Sequence, residues 1–231
     1  MPDWTVERAR GGAGALHARG VPATLGGGRR VEVLEPTAPA LVLGSAQRDV
    51  ADTDACTAEG VEVVRRQSGG GAVLVEPEGL LWVDVLIAVD DPLWTGDVSA
   101  SARWLGAAWS EALRGVGGVD APTVHEGSMC LNRWGRLVCF AGLGPGEVTD
   151  GAGGPKVVGI AQRRTRHGAR FQCAVALGWD PLRLTGLLRF ASDAERAGAA
   201  ADLSRPGVVR PVDPGLRDGL LAAFHAALPR H

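Results

Sequence analysis

A run of three glycines, residues 69–71, lies between two short apolar segments and is the strongest constraint on how this chain folds. The preceding segment, residues 60–64, and the following one, residues 72–75, both have the composition of β-strands. Glycine has no Cβ, so its backbone can adopt positive φ and lie flush against a ligand. The amides of such a turn can point together as an anion-binding concavity. The sequence therefore predicts two strands joined by a ligand-binding turn.

Two arginines precede the glycines and carry fixed charge with forked donors that suit phosphate or carboxylate. A tight hairpin turn with solvated arginines is the alternative interpretation, because glycine-rich matches need structural context. The candidate ligand-binding residues of this segment are Arg65, Arg66, Ser68, Gly69, Gly70, Gly71, Ala72 and Val73.

Lys156 is the only lysine of the 231 residues, in a chain that otherwise uses arginine. Its retention suggests a site that needs a compact ammonium, and a surface lysine retained by chance is the alternative. Lys156 leads an apolar segment directly after the turn at residues 150–155. Gly159 in that segment leaves room for a ligand or another backbone to approach. Gly159 and Ala161 are therefore further candidate ligand-binding residues.

Residue patterns along the chain predict about seven or eight strands and five helices, which indicates an α+β or mixed α/β class. One helix is expected within residues 4–16 and one strand at residues 137–140. We expect one catalytic domain over residues 1–231, with its core at about 25–180 and a small helical C-terminal tail at about 181–231.

Composition and charge argue against several classes of function, including nucleic-acid binding and membrane binding. An apolar fraction of 45% and a charged fraction of 22% are typical of a globular protein, and a net charge of −2 predicts no nucleic-acid or membrane partner. No apolar run approaches the roughly 20 residues of a membrane span, and the N-terminus lacks a secretory signal. Four widely spaced cysteines form no CxxC pair, so we expect no metal site and a reduced, cytoplasmic setting: Cys56, Cys130, Cys139 and Cys173.

The letters RRQSGGGAV at residues 65–73 and KVVGIAQRR at residues 156–164 together resemble the lipoate-protein ligase A / octanoyltransferase family. ALVLGSAQ at residues 40–47 is similar to an early strand of that family. The resemblance extends over about residues 30–180. It implies the biotin/lipoate protein ligase catalytic fold, a central mixed β-sheet flanked by helices. It also places the ligand in a cleft between the glycine turn and the strand of Lys156.

The resemblance implies an enzyme that activates lipoate or octanoate with ATP and Mg²⁺ as an acyl-adenylate. The acyl group then passes to a lysine of a lipoyl-acceptor domain or a glycine cleavage H-type protein. Arg66, with Arg65 behind it, would meet phosphate, and Lys156 would bridge the acyl carbonyl oxygen and the phosphate, where charge builds. Four valines are candidates for housing the eight-carbon chain, with ordinary core as the alternative: Val73, Val83, Val85 and Val158.

Two departures from the ligase pattern keep other functions open. The histidine expected after the glycines is missing, and Val138-Cys139-Phe140 stands where ligases show an Asn-Asp pair. Octanoyltransferase relatives use a cysteine to take the acyl group from acyl carrier protein without ATP, so Cys139 is the candidate nucleophile, with Lys156 as a neighbouring ammonium. A small buried apolar role is the alternative for Cys139.

The triple glycine favours the ligase, because transferase relatives often carry a bulkier third residue. A third hypothesis is a redirected relative that binds an acyl group without catalysis or joins another acid to another amine. Glu147 and Asp150 are candidates for the missing acid near a metal, with turn positions as the favoured interpretation. A basic run after the lysine strand is expected at a solvated edge that can meet an acidic lipoyl domain or carrier protein: Arg163, Arg164, Arg166 and Arg170.

Overall fold

The computed structural model describes residues 4–23, 25 and 28–230. The strands of this part are β1 (Trp4–Gly11), β2 (Arg29–Pro36), β3 (Ala40–Leu43), β4 (Glu62–Arg65), β5 (Val73–Val75), β6 (Leu80–Ala88), β7 (Pro122–Val124), β8 (Cys130–Leu131), β9 (Gly142–Leu143), β10 (Val148–Asp150), β11 (Lys156–Thr165) and β12 (Gly168–Ala176). The α-helices are α1 (Ala13–Ala18), α2 (Thr53–Ala58), α3 (Arg103–Val116), α4 (Pro181–Gly186), α5 (Asp193–Leu203) and α6 (Arg217–Ala227). Two short 3-10 helices span Cys139–Ala141 and Pro214–Leu216.

In the described residues the main sheet has seven strands in the order β1-β2-β6-β12-β11-β10-β7. β1 runs parallel to β2, and the other neighbouring strands are antiparallel. A smaller sheet has the order β4-β3-β5, with one parallel and one antiparallel pair. A mixed central sheet with flanking helices confirms the predicted α+β class.

The central strand β6 is buried along most of its length because both of its faces are covered. Val83 and Val85 belong to the core cluster that includes Trp109 of α3. Leu80 and Trp82 belong to a different cluster, shared with the smaller sheet. Alternate residues of a strand point to opposite faces of the sheet, so β6 contributes side chains to both core clusters.

The C-terminal helices pack against the body of the protein. Phe224 of α6 stacks on Trp109 of α3, with ring centroids 3.8 Å apart. Backbone bonds from Lys156 N to Val208 O, 2.9 Å, and from Arg210 N to Lys156 O, 2.9 Å, tie the segment after α5 to the start of β11. None of the helices in the described part of the chain is long and apolar enough to cross a membrane. The single-domain assignment remains a prediction.

Two secondary-structure predictions are wrong. Residues 4–16 contain β1 followed by the start of α1, because all eight residues of β1 pair with β2 and glycines separate the two elements. Residues 137–140 form no strand, because pairing there is limited, in the described residues, to one bridge between Ala72 and Val138. The described residues also hold more strands and helices than expected, since two-residue and three-residue pairs such as β8 with β9 leave little pattern in a sequence.

We expect Phe224→Ala to lower the free energy of unfolding by about 3–5 kcal/mol, because it removes a buried ring stacked on Trp109. Urea or thermal unfolding measures this change. Leu182→Ala, at a side chain that is 71% exposed on α4, is the control and should stay within about 0.5 kcal/mol of the wild type. Separate melting of α6, with the main transition unchanged, would contradict the proposed packing.

Candidate active site

The glycine turn connects two strands that are not neighbours. β4 and β5 lie on opposite sides of β3, so the chain crosses beyond the end of β3 and the hairpin interpretation is wrong. Gly70 has φ 99°, a conformation that favours glycine. A Cβ on Gly44, just after β3, would lie 1.9 Å from the Gly70 carbonyl oxygen. The close approach of these two loops therefore requires glycine at position 44.

Arg66 is buried inside the turn and holds its shape. Its Nη2 donates to the carbonyl oxygens of Gly69 and Gly71, both at 2.8 Å, and its Nη1 to that of Val42 at 3.3 Å. Burial lowers the pKa of Arg66 from its ordinary value, and the nearby Cys139 opposes that shift. Arg65 points outward and is exposed, because strand side chains alternate.

The turn leads directly to Cys139. Ala72 donates its N–H to Leu137 O at 2.7 Å and accepts the N–H of Cys139 at 3.0 Å. A Cβ on Gly71 would lie 2.6 Å from the Cys139 nitrogen, so this contact also requires a glycine. A Cβ on Gly70 would lie 3.7 Å from Cys139 Sγ, so the thiol rests against the turn. Two segments more than 60 residues apart in sequence thus meet at one point.

The four cysteines differ in surroundings. Cys56 and Cys173 are buried, and burial raises the pKa of both thiols. Cys130 is exposed on β8. Cys139 is partly buried and lines a cavity. Its thiol is therefore accessible to a ligand in the cavity and also contacts the glycine turn.

Lys156 is 3% exposed, which contradicts the surface-lysine alternative. Its Nζ lies 2.7 Å from Glu147 Oε1 and donates to the carbonyl oxygens of Cys139, 3.1 Å, and Gly142, 3.0 Å. The ammonium therefore holds the turn that carries Cys139. The strand of Lys156 and the glycine turn border the same cavity, although Lys156 itself does not line it.

Glu147 is more than a turn residue. It is buried, and besides Lys156 it accepts the backbone N–H groups of Gly144, 2.6 Å, and Ile160, 3.0 Å. Asp150, the other acidic candidate, accepts the N–H of Ala121 at a turn. Within the described residues, no group of three or more His, Cys, Asp and Glu side chains is placed to hold a metal ion.

An open cavity lies between the glycine turn and strands β6, β11 and β12, with about 470 Å³ of empty space that includes its opening to solvent. Four of the predicted ligand-binding residues line it: Arg66, Val73, Gly159 and Ala161. Val83, Val85 and Val158 do not, because they point to the opposite face of the sheet and pack with α3. The full lining is His17, Val42, Arg66, Val73, Val75, Leu80, Trp82, Cys139, Phe140, Gly159, Ile160, Ala161, Gln172, Cys173 and Ala174.

A second cavity of about 410 Å³ adjoins the first. The two share Val73, Leu80 and Phe140, which form the wall between them. Beyond this wall the lining is Ala72, Leu74, Glu76, Gly79, Ala176, Gly178, Trp179, Asp180 and Leu184.

A polar chain from the N-terminal helix α1 reaches the first cavity, and no sequence pattern predicted it. Ser68 Oγ donates to Gln172 Oε1 at 2.7 Å, and Gln172 Nε2 lies 3.1 Å from His17 Nδ1. The amide nitrogen donates, so Nδ1 accepts and the ring hydrogen is on Nε2. The His17 ring packs on Trp82, with centroids 4.3 Å apart.

Burial lowers the pKa of His17 to about 3, and the positive charges of Arg170 and Arg66 contribute. His17 is therefore neutral at physiological pH. It offers the cavity an uncharged imidazole beside the glycine turn.

The basic run after Lys156 is not the solvated edge that was expected. Arg170 is buried and pairs with Asp84 in the central strand. Arg164 stacks on Trp94 at 4.1 Å and donates to backbone carbonyls of its loop. Arg163 and Arg166 remain exposed.

The family model described as the lipoyl protein ligase A/B catalytic domain matches residues 29–209, which include every predicted site residue. The chain belongs to this family. It is thus an enzyme of the lipoate ligase and octanoyltransferase type, as its motifs indicated.

Individual relatives agree with this membership. The chain is 32% identical to octanoyltransferase LipM of Kyrpidia tusciae over 92% of its own length and 80% of that protein. It is 28% identical to octanoyltransferase LipM of Clostridioides difficile over 61% of the chain and 50% of that protein. A bipartite lipoate protein ligase from Thermoplasma acidophilum, studied with its E2 lipoyl domain, has the same fold, with a TM-score of 0.74, 18% identity, and coverage of 99% of this chain and 84% of that chain.

We expect His17→Gln to flatten the pH dependence of stability below neutrality. The folded pKa of His17 lies below the ordinary 6.5, so the unfolded chain takes up the proton first as pH falls. The stability from neutral His17 is therefore complete above pH 6.5 and declines toward pH 3, with about 2 kcal/mol lost by pH 5. Urea unfolding from pH 8 to pH 4 measures both slopes, and equal slopes in wild type and variant would contradict this electrostatic environment.

Proposed function

We propose that this protein is an octanoyltransferase that carries the acyl group on Cys139. The donor is an acyl thioester on acyl carrier protein, and the acceptor is a lysine of a lipoyl-acceptor domain such as a glycine cleavage H-type protein. The observation that carries the proposal is the Cys139 thiol, which lines the apolar cavity, rests against Gly70 and lies beside buried Arg66. The similarity to two octanoyltransferases supports it.

The reaction has two steps. The Cys139 thiolate attacks the carbonyl carbon of the donor thioester, a new C–S bond forms, and the carrier thiolate leaves and takes up a proton. The acceptor lysine amine then attacks the Cys139 thioester, the amide C–N bond forms as the C–S bond to Cys139 breaks, and the proton lost by the nitrogen passes to the Cys139 sulfur. Each step develops negative charge on the same carbonyl oxygen, so donors near Sγ favour both.

Two amides are candidates for stabilising that oxygen. The N–H groups of Gly70 and Gly71 donate no hydrogen bond to any other residue in the described part of the chain. Gly70 lies against Cys139 Sγ, so its amide is close to the reacting atoms. The predicted bridging role of Lys156 is replaced by a positioning role, because the ammonium holds the carbonyl of Cys139 itself.

ATP and Mg²⁺, which the ligase hypothesis requires, fit these residues poorly. Lys156 already has three oxygen acceptors, from Glu147, Cys139 and Gly142, which match its three N–H groups. Arg66 donates to carbonyl oxygens inside the turn instead of facing outward. A nucleotide phosphate would have to displace these bonds, and Glu147 is held by Lys156 and two amides. The proposed reaction therefore has no ATP-dependent step.

Mixing the protein with octanoyl carrier protein should increase its intact mass by one octanoyl group, located on Cys139 by peptide mapping. Cys139→Ser should abolish the stable adduct and lower transfer to a lipoyl-acceptor domain by on the order of 10³-fold or more. Cys130→Ser, which changes the exposed thiol on β8, is the matched control and should form the adduct normally.

The opposite pattern would support the ligase. Pyrophosphate released on adding lipoate and Mg-ATP, undiminished in Cys139→Ser, would overturn the proposed function. Neither an octanoyl adduct nor pyrophosphate release in the wild type, with any other activity unaffected by Lys156→Ala, would instead favour a redirected relative.

Chain-length selection is a second expectation of the proposed function. Leu80 and Val73 separate the two cavities, so Leu80→Ala should join them and admit longer acyl chains. Each additional buried methylene contributes about 0.8 kcal/mol, so the preference should move by roughly fourfold per methylene toward ten- and twelve-carbon donors. Acylation rates with donors of increasing length measure the change.

Leu184→Ala is the matched control, because Leu184 is equally buried but lines the second cavity alone. It should lower stability as Leu80→Ala does, while leaving the order of preferred donors unchanged. The same shift in both variants would show that loosened packing, and not removal of the wall, sets the chain length.

A further inference from the structure

Five exposed arginines lie on segments that backbone contacts connect to the glycine turn or to its neighbouring loops, and we name them the arginine rim: Arg48, Arg65, Arg133, Arg136 and Arg189. Arg133 stacks on Trp134, with its guanidinium carbon 4.5 Å from the ring centroid. The other four side chains make no hydrogen bond or ion pair within the part of the chain that the structure describes. Three exposed arginines elsewhere in the described residues do pair with carboxylates: Arg8, Arg205 and Arg210.

Backbone contacts bring the rim together. Arg65 ends β4 opposite Leu43, which directly precedes Gly44. Gln47, next to Arg48, donates from Nε2 to the carbonyl oxygens of Arg136, 3.2 Å, and Leu137, 3.0 Å. Arg189 donates its N–H to Val50 O at 2.8 Å. These are the same loops that position the glycine turn and Cys139.

The arginine rim carries a local excess of positive charge. The chain as a whole has a net charge of −2. The four segments that form the rim, residues 44–50, 65–71, 132–138 and 186–190, contain five exposed arginines and one carboxylate, Asp49. Two further acidic residues contact these segments: Asp52 donates its N–H to Leu187 O, and Asp202 accepts from Trp134 Nε1, so the arginines still outnumber the carboxylates. A concentration of one sign of charge beside an active site raises the rate of encounter with a partner of the opposite sign.

An exposed apolar spot adjoins the rim. Met129 is 59% exposed and Leu131 is 45% exposed. β8, which contains Leu131, pairs with β9, and β9 directly follows the 3-10 helix that begins at Cys139. A polar rim beside an apolar centre is typical of protein–protein interfaces.

We propose that the arginine rim docks the acidic carrier domain that delivers the acyl thioester to Cys139, an inference that rests on the proposed function. The donor of such a thioester combines an acidic protein surface with a phosphate in its prosthetic arm. Forked guanidinium groups match phosphate oxygens more closely than an ammonium does. The acceptor lysine brings no phosphate, so the rim suits the donor better than the acceptor. Arg163 and Arg166, where docking was expected, belong to the β11–β12 hairpin, whose backbone pairs with β10 and β6.

The double variant Arg48→Glu/Arg136→Glu tests the proposal with two donors. Acylation of Cys139 by octanoyl carrier protein should lose on the order of 10- to 100-fold in kcat/KM at low salt, and the loss should shrink as salt rises. Acylation by octanoyl-pantetheine, which has no carrier domain, should be unchanged. Arg163→Glu has the same charge change at an exposed arginine and should leave both rates within about twofold of the wild type.

Other results would overturn the proposal in distinguishable ways. Equal losses with both donors would mean that the rim acts on the site itself. A loss confined to transfer from acylated enzyme to the lipoyl domain would assign the rim to the acceptor, and no loss with the carrier would remove the docking role. No adduct from either donor in the wild type would instead overturn the proposed function.

Discussion

The site depends on the cost of burying a cation. A guanidinium or an ammonium taken out of water is unfavourable unless its N–H groups find acceptors. Arg66 finds them in the carbonyl oxygens of the glycine turn, and Lys156 in Glu147 and the carbonyls around Cys139. Each buried cation thereby determines the path of one turn. Because the two turns touch, the Cys139 thiol has a defined position against Gly70.

Because side chains alternate along a strand, the two faces of the main sheet have different surroundings. On one face of the main sheet, valines of β6 pack with α3 and α6. On the other face, Glu32, Asp84 and Gln172 lie opposite one another across β2, β6 and β12. Arg19 and Arg170 pair with the first two, and Gln172 continues the line to His17. Each polar group in this row has a hydrogen-bond or ion-pair partner. The row borders the apolar cavity, so no unpaired charge faces the cavity from this side.

Local sequence was enough for the parts of the site that are local. Three glycines and a single lysine are recognisable without a structure, because backbone freedom and residue chemistry belong to the residues themselves. His17 and Gln172 escaped notice because their contact joins residues 155 positions apart. Glu147 looked like a turn residue, since nothing near it in sequence shows that a lysine will need a buried carboxylate. Of the four valines proposed for the apolar wall, one, Val73, lines the cavity, because composition does not say which face of a strand a valine occupies.

The sequence by itself determined the family, the mixed α+β class and the pair of motifs that form the site, since these follow from residue order and short-range pattern. Tertiary structure decided which face of each strand meets the cavity and how both cations are neutralised. It also decided that the loops after β3, after β4 and around Cys139 share one surface. Those outcomes depend on strand pairing between distant segments, which puts β3 between β4 and β5 and brings Cys139 against the glycine turn.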